Sequence, residues 1–79
     1  MKKFEEYTKK EKETAINRGG DRKRDLDDAL SLWLNYHSKE FTDHELEVIH
    51  TTSPLVEMFG TCDAVQDVKD LIKEFGELD

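Results

Sequence analysis

Apolar residues in the middle of the chain recur with the period of an α-helix. The stripe consists of Leu26, Ala29, Leu30, Trp33 and Leu34, which is the spacing of a helix with one face against a core. Asp25 is a candidate N-cap, with Asp28 at the third helical position, and His37 near the end would complement the helix dipole as a cation. We expect Trp33 to anchor the core. The alternative is that Trp33 or Tyr36 is an exposed interface residue, because aromatic side chains are enriched at binding hot spots.

A third helix has a complete entry signature. Thr42 is the expected N-cap, Glu45 reaches back as its capping-box partner, and Phe41 can pack on Leu46 as a hydrophobic staple. This helix is predicted to continue to about His50.

Ser53 and Pro54 predict a fourth, short helix, with serine as the cap and proline at the first helical position. It passes Met58 and Phe59 and ends at Gly60.

The last helix is predicted from Ala64 to about Phe75, with Asp63 as N-cap, Gln66 at the third position and Gly76 as the stop. Its inner face is Val65, Val68, Leu71, Ile72 and Phe75.

No segment alternates with the period of a strand, so the fold class is all-α. We expect one domain, residues 1–79, built as a small bundle of four to five short helices.

The first helix is expected at about residues 4–16, supported by the pairs Glu5 with Lys9 and Glu6 with Lys10 at the favourable i,i+4 spacing. Its apolar content is thin, so we expect residues 1–20 to be frayed, loosely docked or ordered only on binding. Residues 17–20, which end in two glycines, are typical of a helix stop and hinge.

Carboxylates form a second stripe along the last helix. Steps of four, three, four and three residues separate Asp63, Asp67, Asp70, Glu74 and Glu77. Like charges at these spacings cost helix stability, so a face selected only for solubility would mix the signs. Asp63 and Asp67 have a local explanation in helix initiation, but Asp70, Glu74 and Glu77 do not. Asp43 and Glu47 would extend this face if the third helix packs beside the last. The simpler alternative is a solvated face opposite the core.

Composition limits the possible function classes. The chain has 79 residues, 39% of them charged, a net charge of −7 and one cysteine. Residues 39–79 contain eleven acidic and three basic side chains, a net charge of −8, whereas the first half is nearly neutral. A core this small leaves room for stabilisation by self-association or a partner. No apolar run is long enough for a membrane span or signal peptide, so a cytoplasmic location is the default expectation.

Catalytic and metal-binding motifs are absent from the sequence. His37, His44, His50 and Cys62 are the candidate zinc ligands, but none of their spacings is that of a recognised ligand pair. Cys62 with His50 is a candidate nucleophile pair, although a lone cysteine is more often a small buried apolar residue. An EF-hand loop is excluded at residues 21–28 because its glycine and distal glutamate are missing. We therefore expect a non-enzyme without cofactor or metal.

A family resemblance is carried by residues 40–48, EFTDHELEV, together with Leu55, Glu57 and Met58. This region resembles the centre of the small enterobacterial nucleoid modulators of the Hha/YmoA family. The family's Ala-Ala-Asp-His-Arg run is replaced here by residues 51–54, TTSP, so no functional residue is transferred.

Three functions are compatible with these patterns. The leading hypothesis is a stoichiometric inhibitor or modulator that presents its acidic face to a basic, nucleic-acid-binding protein, as DNA mimics do. Small phage-encoded proteins that act against host defence are often of this type. The alternative is an Hha-like or antitoxin-like regulatory module that uses self-association or an apolar surface, with Tyr36, Met58 and Phe59 as exposed candidates. Direct nucleic-acid binding through Arg22, Lys23 and Arg24 is disfavoured because a net charge of −7 opposes a polyanion.

Overall fold

The protein is an all-α bundle organised around one long central helix. The computed structural model describes residues 2–52 and 54–76, and no strand occurs within these ranges. The helices are α1 (Lys9–Arg18), α2 (Gly20–Tyr36), α3 (Asp43–Thr51), α4 (Leu55–Phe59) and α5 (Val65–Gly76), with 3-10 turns at Phe4–Glu6 and Ser38–Glu40. Helices α1 and α4 and both 3-10 turns pack on α2, whereas α5 packs on α3. The predictions made for Ser53, Glu77 and the Phe75 side chain lie outside the described residues.

The predicted core face of α2 is confirmed. Its members Leu26, Ala29, Leu30, Trp33 and Leu34 are all buried. They form one cluster with Phe41, Ile49, Val56, Val68 and Ile72 from the rest of the chain. Because α2 contributes five side chains to this cluster, it is the element on which the others are assembled.

The predicted start of α2 at Asp25 is wrong. The helix begins at Gly20, so Asp25 lies inside it and caps nothing. Gly19 and Gly20 have φ angles of +68° and +64°, a conformation that glycine adopts without steric cost. The reversal between α1 and α2 is therefore completed by these two residues, and nothing in residues 21–24 prevents the helix from starting directly after them.

The predicted start of α1 at Phe4 is also wrong. Thr8 is its N-cap: the Thr8 hydroxyl accepts a hydrogen bond from the Glu11 backbone N–H at 3.1 Å, and the Glu11 carboxylate accepts one from the Thr8 N–H at 3.1 Å. The predicted i,i+4 pairs from Glu5 and Glu6 therefore span a helix start. The ion pair that forms in this region joins Lys2 to Glu11 instead.

The N-terminal segment contributes two side chains to the core. Phe4 and Ala15 are buried, and the Phe4 ring lies 5.0 Å from the Trp33 ring, centroid to centroid. The expectation that residues 1–20 are frayed, loosely docked or ordered only on binding remains a prediction.

The entry to α3 is as predicted. The Thr42 hydroxyl accepts from the Glu45 N–H at 3.2 Å, and the Glu45 carboxylate accepts from the Thr42 N–H at 2.8 Å. Phe41 before the cap is buried. Helix α4 begins at Leu55, so Pro54 occupies the cap position rather than the first helical position.

The start of α5 differs from the prediction in its cap. Asp63 does not cap it through Gln66; instead the Asp67 carboxylate accepts from the backbone N–H groups of Asp63 and Ala64, at 3.1 and 3.3 Å. The Asp63 carboxylate is engaged elsewhere, by Lys12. This cap fixes Asp67 at the positive end of the helix dipole.

Candidate functional site

The outer face of α5 carries the predicted carboxylates. Val68 and Ile72 are buried against the core, whereas Asp67, Asp70 and Glu74 are exposed. The inner and outer faces of α5 are thus separated as the sequence predicted.

The stripe carboxylates differ in how far their local partners neutralise them. Asp63 forms an ion pair with Lys12 at 3.0 Å and Asp67 caps the helix. Asp70 accepts a hydrogen bond from the Gln66 amide at 3.0 Å, which is neutral and leaves its charge uncompensated. Within the described residues, no cation lies within 4 Å of Asp70 or Glu74, and Lys73 pairs with neither. The unneutralised part of this face is therefore Asp70 and Glu74.

The junction between α3 and α5 contains a separate ion pair. Lys69 Nζ lies 3.3 Å from the Glu45 carboxylate and 5.5 Å from the centre of the Phe41 ring. The Thr42 backbone N–H, with Lys69 as a further contributor, lowers the pKa of the Glu45 carboxyl from its ordinary value. Lys69 is thus held at the junction, whereas Lys73 is exposed beside the carboxylates of α5.

Helix α3 does pack beside α5, but that contact does not join their acidic residues. Asp43 and Glu47 are exposed, and each lies two residues from Glu45. Two residues correspond to about 200° around a helix, so both lie on the side of α3 away from Lys69. Asp43 and Glu47 are therefore a separate acidic surface and not a continuation of the α5 stripe.

A buried lysine ties the N-terminal segment to the start of α5. Lys12 is 2% exposed. Its ammonium group donates to the Cys62 carbonyl at 2.8 Å and to Asp63 at 3.0 Å, and lies 4.2 Å from the centre of the Phe4 ring. The ammonium therefore contacts a carbonyl, a carboxylate and an aromatic ring. A buried charge requires partners of this kind. The burial of Lys12 was not predicted from the sequence, although its helical spacing with Ala15 and Ile16 after the Thr8 cap indicates the inner face of α1.

The outer face of α2 is the second candidate surface. Among the described residues, the large exposed apolar side chains are Leu32, at 60% exposure, and Tyr36, at 82%. They border a groove of about 560 Å³ between α2 and residues 2–5. Its apolar lining is Phe4, Ala29, Leu32, Trp33 and Tyr36. Trp33 is 7% exposed, so it forms the floor of this groove rather than a projecting side chain.

Charged side chains surround this groove. Lys2, Lys3 and Glu5 line its N-terminal wall. Further toward the start of α2, exposed Asp21, Asp25 and Asp28 share a face with Leu32 and Tyr36, because steps of three and four residues separate them. Two exposed arginines, Arg22 and Arg24, flank these carboxylates on either side. The face therefore has three carboxylates between two arginines at one end, and an apolar groove bordered by two lysines and Glu5 at the other.

The other predicted contact residues are less exposed. Phe59 is fully buried in the core, so its expected role as an exposed contact is wrong. Met58 is partly buried and packs on the core. Only Tyr36 of the three apolar candidates projects into solvent.

Residues 22–24 do not form one basic patch. Arg22 lies in a cleft beside α1, whereas Lys23 and Arg24 lie in a cleft beside α4. Lys23 also pairs with Glu57. These cations are distributed around α2, with no common direction toward a polyanion.

Cys62 and the histidines are not arranged as a reactive centre. Cys62 is buried, and burial raises the pKa of its thiol to about 11, so the thiol is protonated and a poor nucleophile at neutral pH. His50 and His44 are exposed, and His37 faces the carboxylates of Glu40 and Glu5. Over residues 2–52 and 54–76, no three His, Cys, Asp or Glu side chains gather closely enough to hold a metal ion.

None of the helices in the described ranges has the length and apolar character needed to cross a membrane. Comparison of the chain with protein-family models, curated proteins and solved structures found no significant match.

Proposed function

We propose that this protein is a non-catalytic binding module that presents the outer face of α5 to a basic surface on another protein. The partner would be a nucleic-acid-binding protein, with carboxylates occupying the positions of phosphates. The observation that carries the proposal is that Asp70 and Glu74 are exposed without a compensating cation, on a helix whose other face is buried.

Electrostatics supports this role for α5. Like charges one turn apart cost a helix a few tenths of a kcal/mol per pair, so the fold gains nothing from keeping Asp70 and Glu74 together. The C-terminal half of the chain has a net charge of −8. A field of one sign accelerates the approach of a partner of opposite sign and selects against wrong partners.

The direct test is the double reversal Asp70→Lys with Glu74→Lys. The wild-type chain and the variant are immobilised, exposed to an extract of the native host and eluted with increasing salt. We expect the wild type to retain basic proteins that elute as the salt rises, and the reversal to weaken retention roughly tenfold, since two exposed attractions become repulsions. Helical circular dichroism should be unchanged, because both side chains are exposed.

A matched control carries the same change in net charge at a different place. Glu13→Lys with Glu47→Lys adds the same charge on α1 and α3, where both side chains are exposed. This control should retain the same proteins at nearly the same salt. Equal retention by the α5 reversal and the wild type would remove this face from the mechanism.

A regulatory interaction module that acts through an apolar surface is the second candidate. The observation that favours it is the exposure of Leu32 and Tyr36 beside an apolar groove. Contacts of this kind bury aromatic anchors and depend little on salt, so salt-independent retention that is lost with Tyr36→Ala would favour this candidate over the acidic face.

A further inference from the structure

We infer that the outer face of α2 binds a second copy of this chain, with the two α2 helices antiparallel about a two-fold axis near Leu32. The inference concerns a surface other than the α5 face and does not depend on the proposed function. It rests on two properties of the α2 face: its shape and its charge distribution.

The shape is self-complementary. Leu32 and Tyr36 project from the same face that holds the groove floored by Phe4, Ala29 and Trp33. A two-fold interface brings the same patch of both copies together, so a projection and a cavity side by side can each receive the other. Seating Tyr36 of each copy in the groove of the other would cover both exposed apolar side chains. Aromatic side chains that fill pockets are the usual anchors of protein interfaces.

The charges are complementary in the same antiparallel arrangement. Asp28 and Tyr36 lie four residues on either side of Leu32, about 6 Å along the helix in opposite directions. An axis at Leu32 therefore places Asp28 of one copy beside Tyr36 of the other, where the phenol can donate to the carboxylate. Lys3 and Glu5 line the same groove as Tyr36. Glu5 lies 3.6 Å from the His37 ring, so Lys3 is the charged group of this wall that would meet the Asp28 carboxylate.

Lys3 is the suitable cation for this contact. Lys2 already pairs with Glu11, whereas within the described residues no carboxylate lies within 4 Å of the Lys3 ammonium. In a parallel two-fold arrangement each group would face its own copy, so Asp28 would meet Asp28 and Lys3 would meet Lys3, and both contacts would repel. The charge distribution thus selects the antiparallel orientation.

The first experiment measures molecular mass by sedimentation equilibrium over a range of concentrations. The wild type should approach twice its chain mass of 9.2 kDa. Leu32→Asp should remain at the mass of one chain with unchanged circular dichroism, because Leu32 is exposed in the single chain. A wild type that stays at the mass of one chain at every concentration overturns the inference, whatever else occupies the groove.

The second experiment tests the orientation by a charge exchange. Lys3→Asp and Asp28→Lys should each weaken the dimer by about tenfold, and the double variant should recover most of the wild-type affinity, because the pair forms again with its signs exchanged. Asp70→Lys is the control on α5 and should leave the dimer unchanged. A double variant that associates no better than either single variant contradicts the antiparallel arrangement.

Discussion

The outer faces of α2 and α5 look alike in position and differ in chemistry. Each lies opposite a face that is buried in the same core. The outer face of α5 exposes carboxylates, whereas that of α2 adds Leu32 and Tyr36 to its carboxylates. A charged face attracts a partner over a distance that salt screening limits. An apolar face contributes binding energy only when direct contact excludes water. The two helices are therefore suited to two different kinds of interaction.

The largest expected change in stability distinguishes the buried face of α2 from its outer face. Trp33→Ala removes a buried indole and should lower the free energy of unfolding by about 3–5 kcal/mol. Tyr36→Ala, three residues away, removes a side chain that is 82% exposed, so at concentrations where the chain is monomeric it should change stability by less than about 0.5 kcal/mol. Urea denaturation followed by circular dichroism measures both values. Similar losses from the two variants would mean that Tyr36 belongs to the fold and is not available to a partner.

The next effect concerns Lys12, which ties α1 to the residues that precede α5. Lys12→Ala leaves the buried Cys62 carbonyl without its donor and removes the stem that packs near Phe4, so we expect a loss of about 2–3 kcal/mol in the free energy of unfolding. Asp63→Asn is the control. Because the Asp63 side chain is 64% exposed, its replacement should cost less than about 1 kcal/mol. Equal losses would show that the ion pair, rather than the carbonyl contact, holds α1 to α5.

The smallest effect concerns Glu11, an exposed carboxylate that the fold uses at the start of α1. The hydrogen bond from Lys2, together with the Thr8 cap, lowers the pKa of Glu11 from 4.5 to about 2. Since the folded state holds this carboxylate ionised, its stabilisation is complete above about pH 4.5 and is lost as the pH falls toward 2. Thermal melts at several pH values should show that Glu11→Gln reduces the loss of stability over this interval. Lys2→Ala removes the cation and keeps the Thr8 cap, so it should reduce this loss by a smaller amount. An unchanged loss in Glu11→Gln would contradict the assignment of Glu11 to the cap.

The core of the bundle could be predicted because helical periodicity is a local property. The α2 stripe and the Thr42 capping box both depend on residues within two turns of each other, and both are found in the structure. The same kind of local signal, Thr8 followed by Glu11, predicts the observed start of α1. The start was instead placed at Phe4 because the i,i+4 charge pairs of Glu5 and Glu6 were interpreted as helical. The predicted start of α2 was wrong because Asp25 has the chemistry of a cap. The turn between α1 and α2 is already complete at Gly20, where the helix begins.

The candidate surfaces were only partly predictable, since they depend on which elements meet. The separation of the α5 carboxylates from its core face follows from spacing alone. In contrast, the groove beside Leu32 exists because residues 2–5 lie along α2, and no local pattern specifies that placement. The burial of Lys12 likewise depends on the Cys62 carbonyl, fifty residues away. Leu32 itself gave a usable signal, because it is a leucine outside the core stripe of its own helix.

The most direct measurement of the difference between these faces is the sedimentation mass of three proteins side by side: the wild type, Leu32→Asp, and Asp70→Lys with Glu74→Lys. We expect a mass of two chains for the wild type, one chain for Leu32→Asp and two chains for the α5 reversal, because the copies are inferred to join through the outer face of α2. A single chain for the wild type, or loss of association in the α5 reversal, would contradict the assignment of separate interactions to α2 and α5.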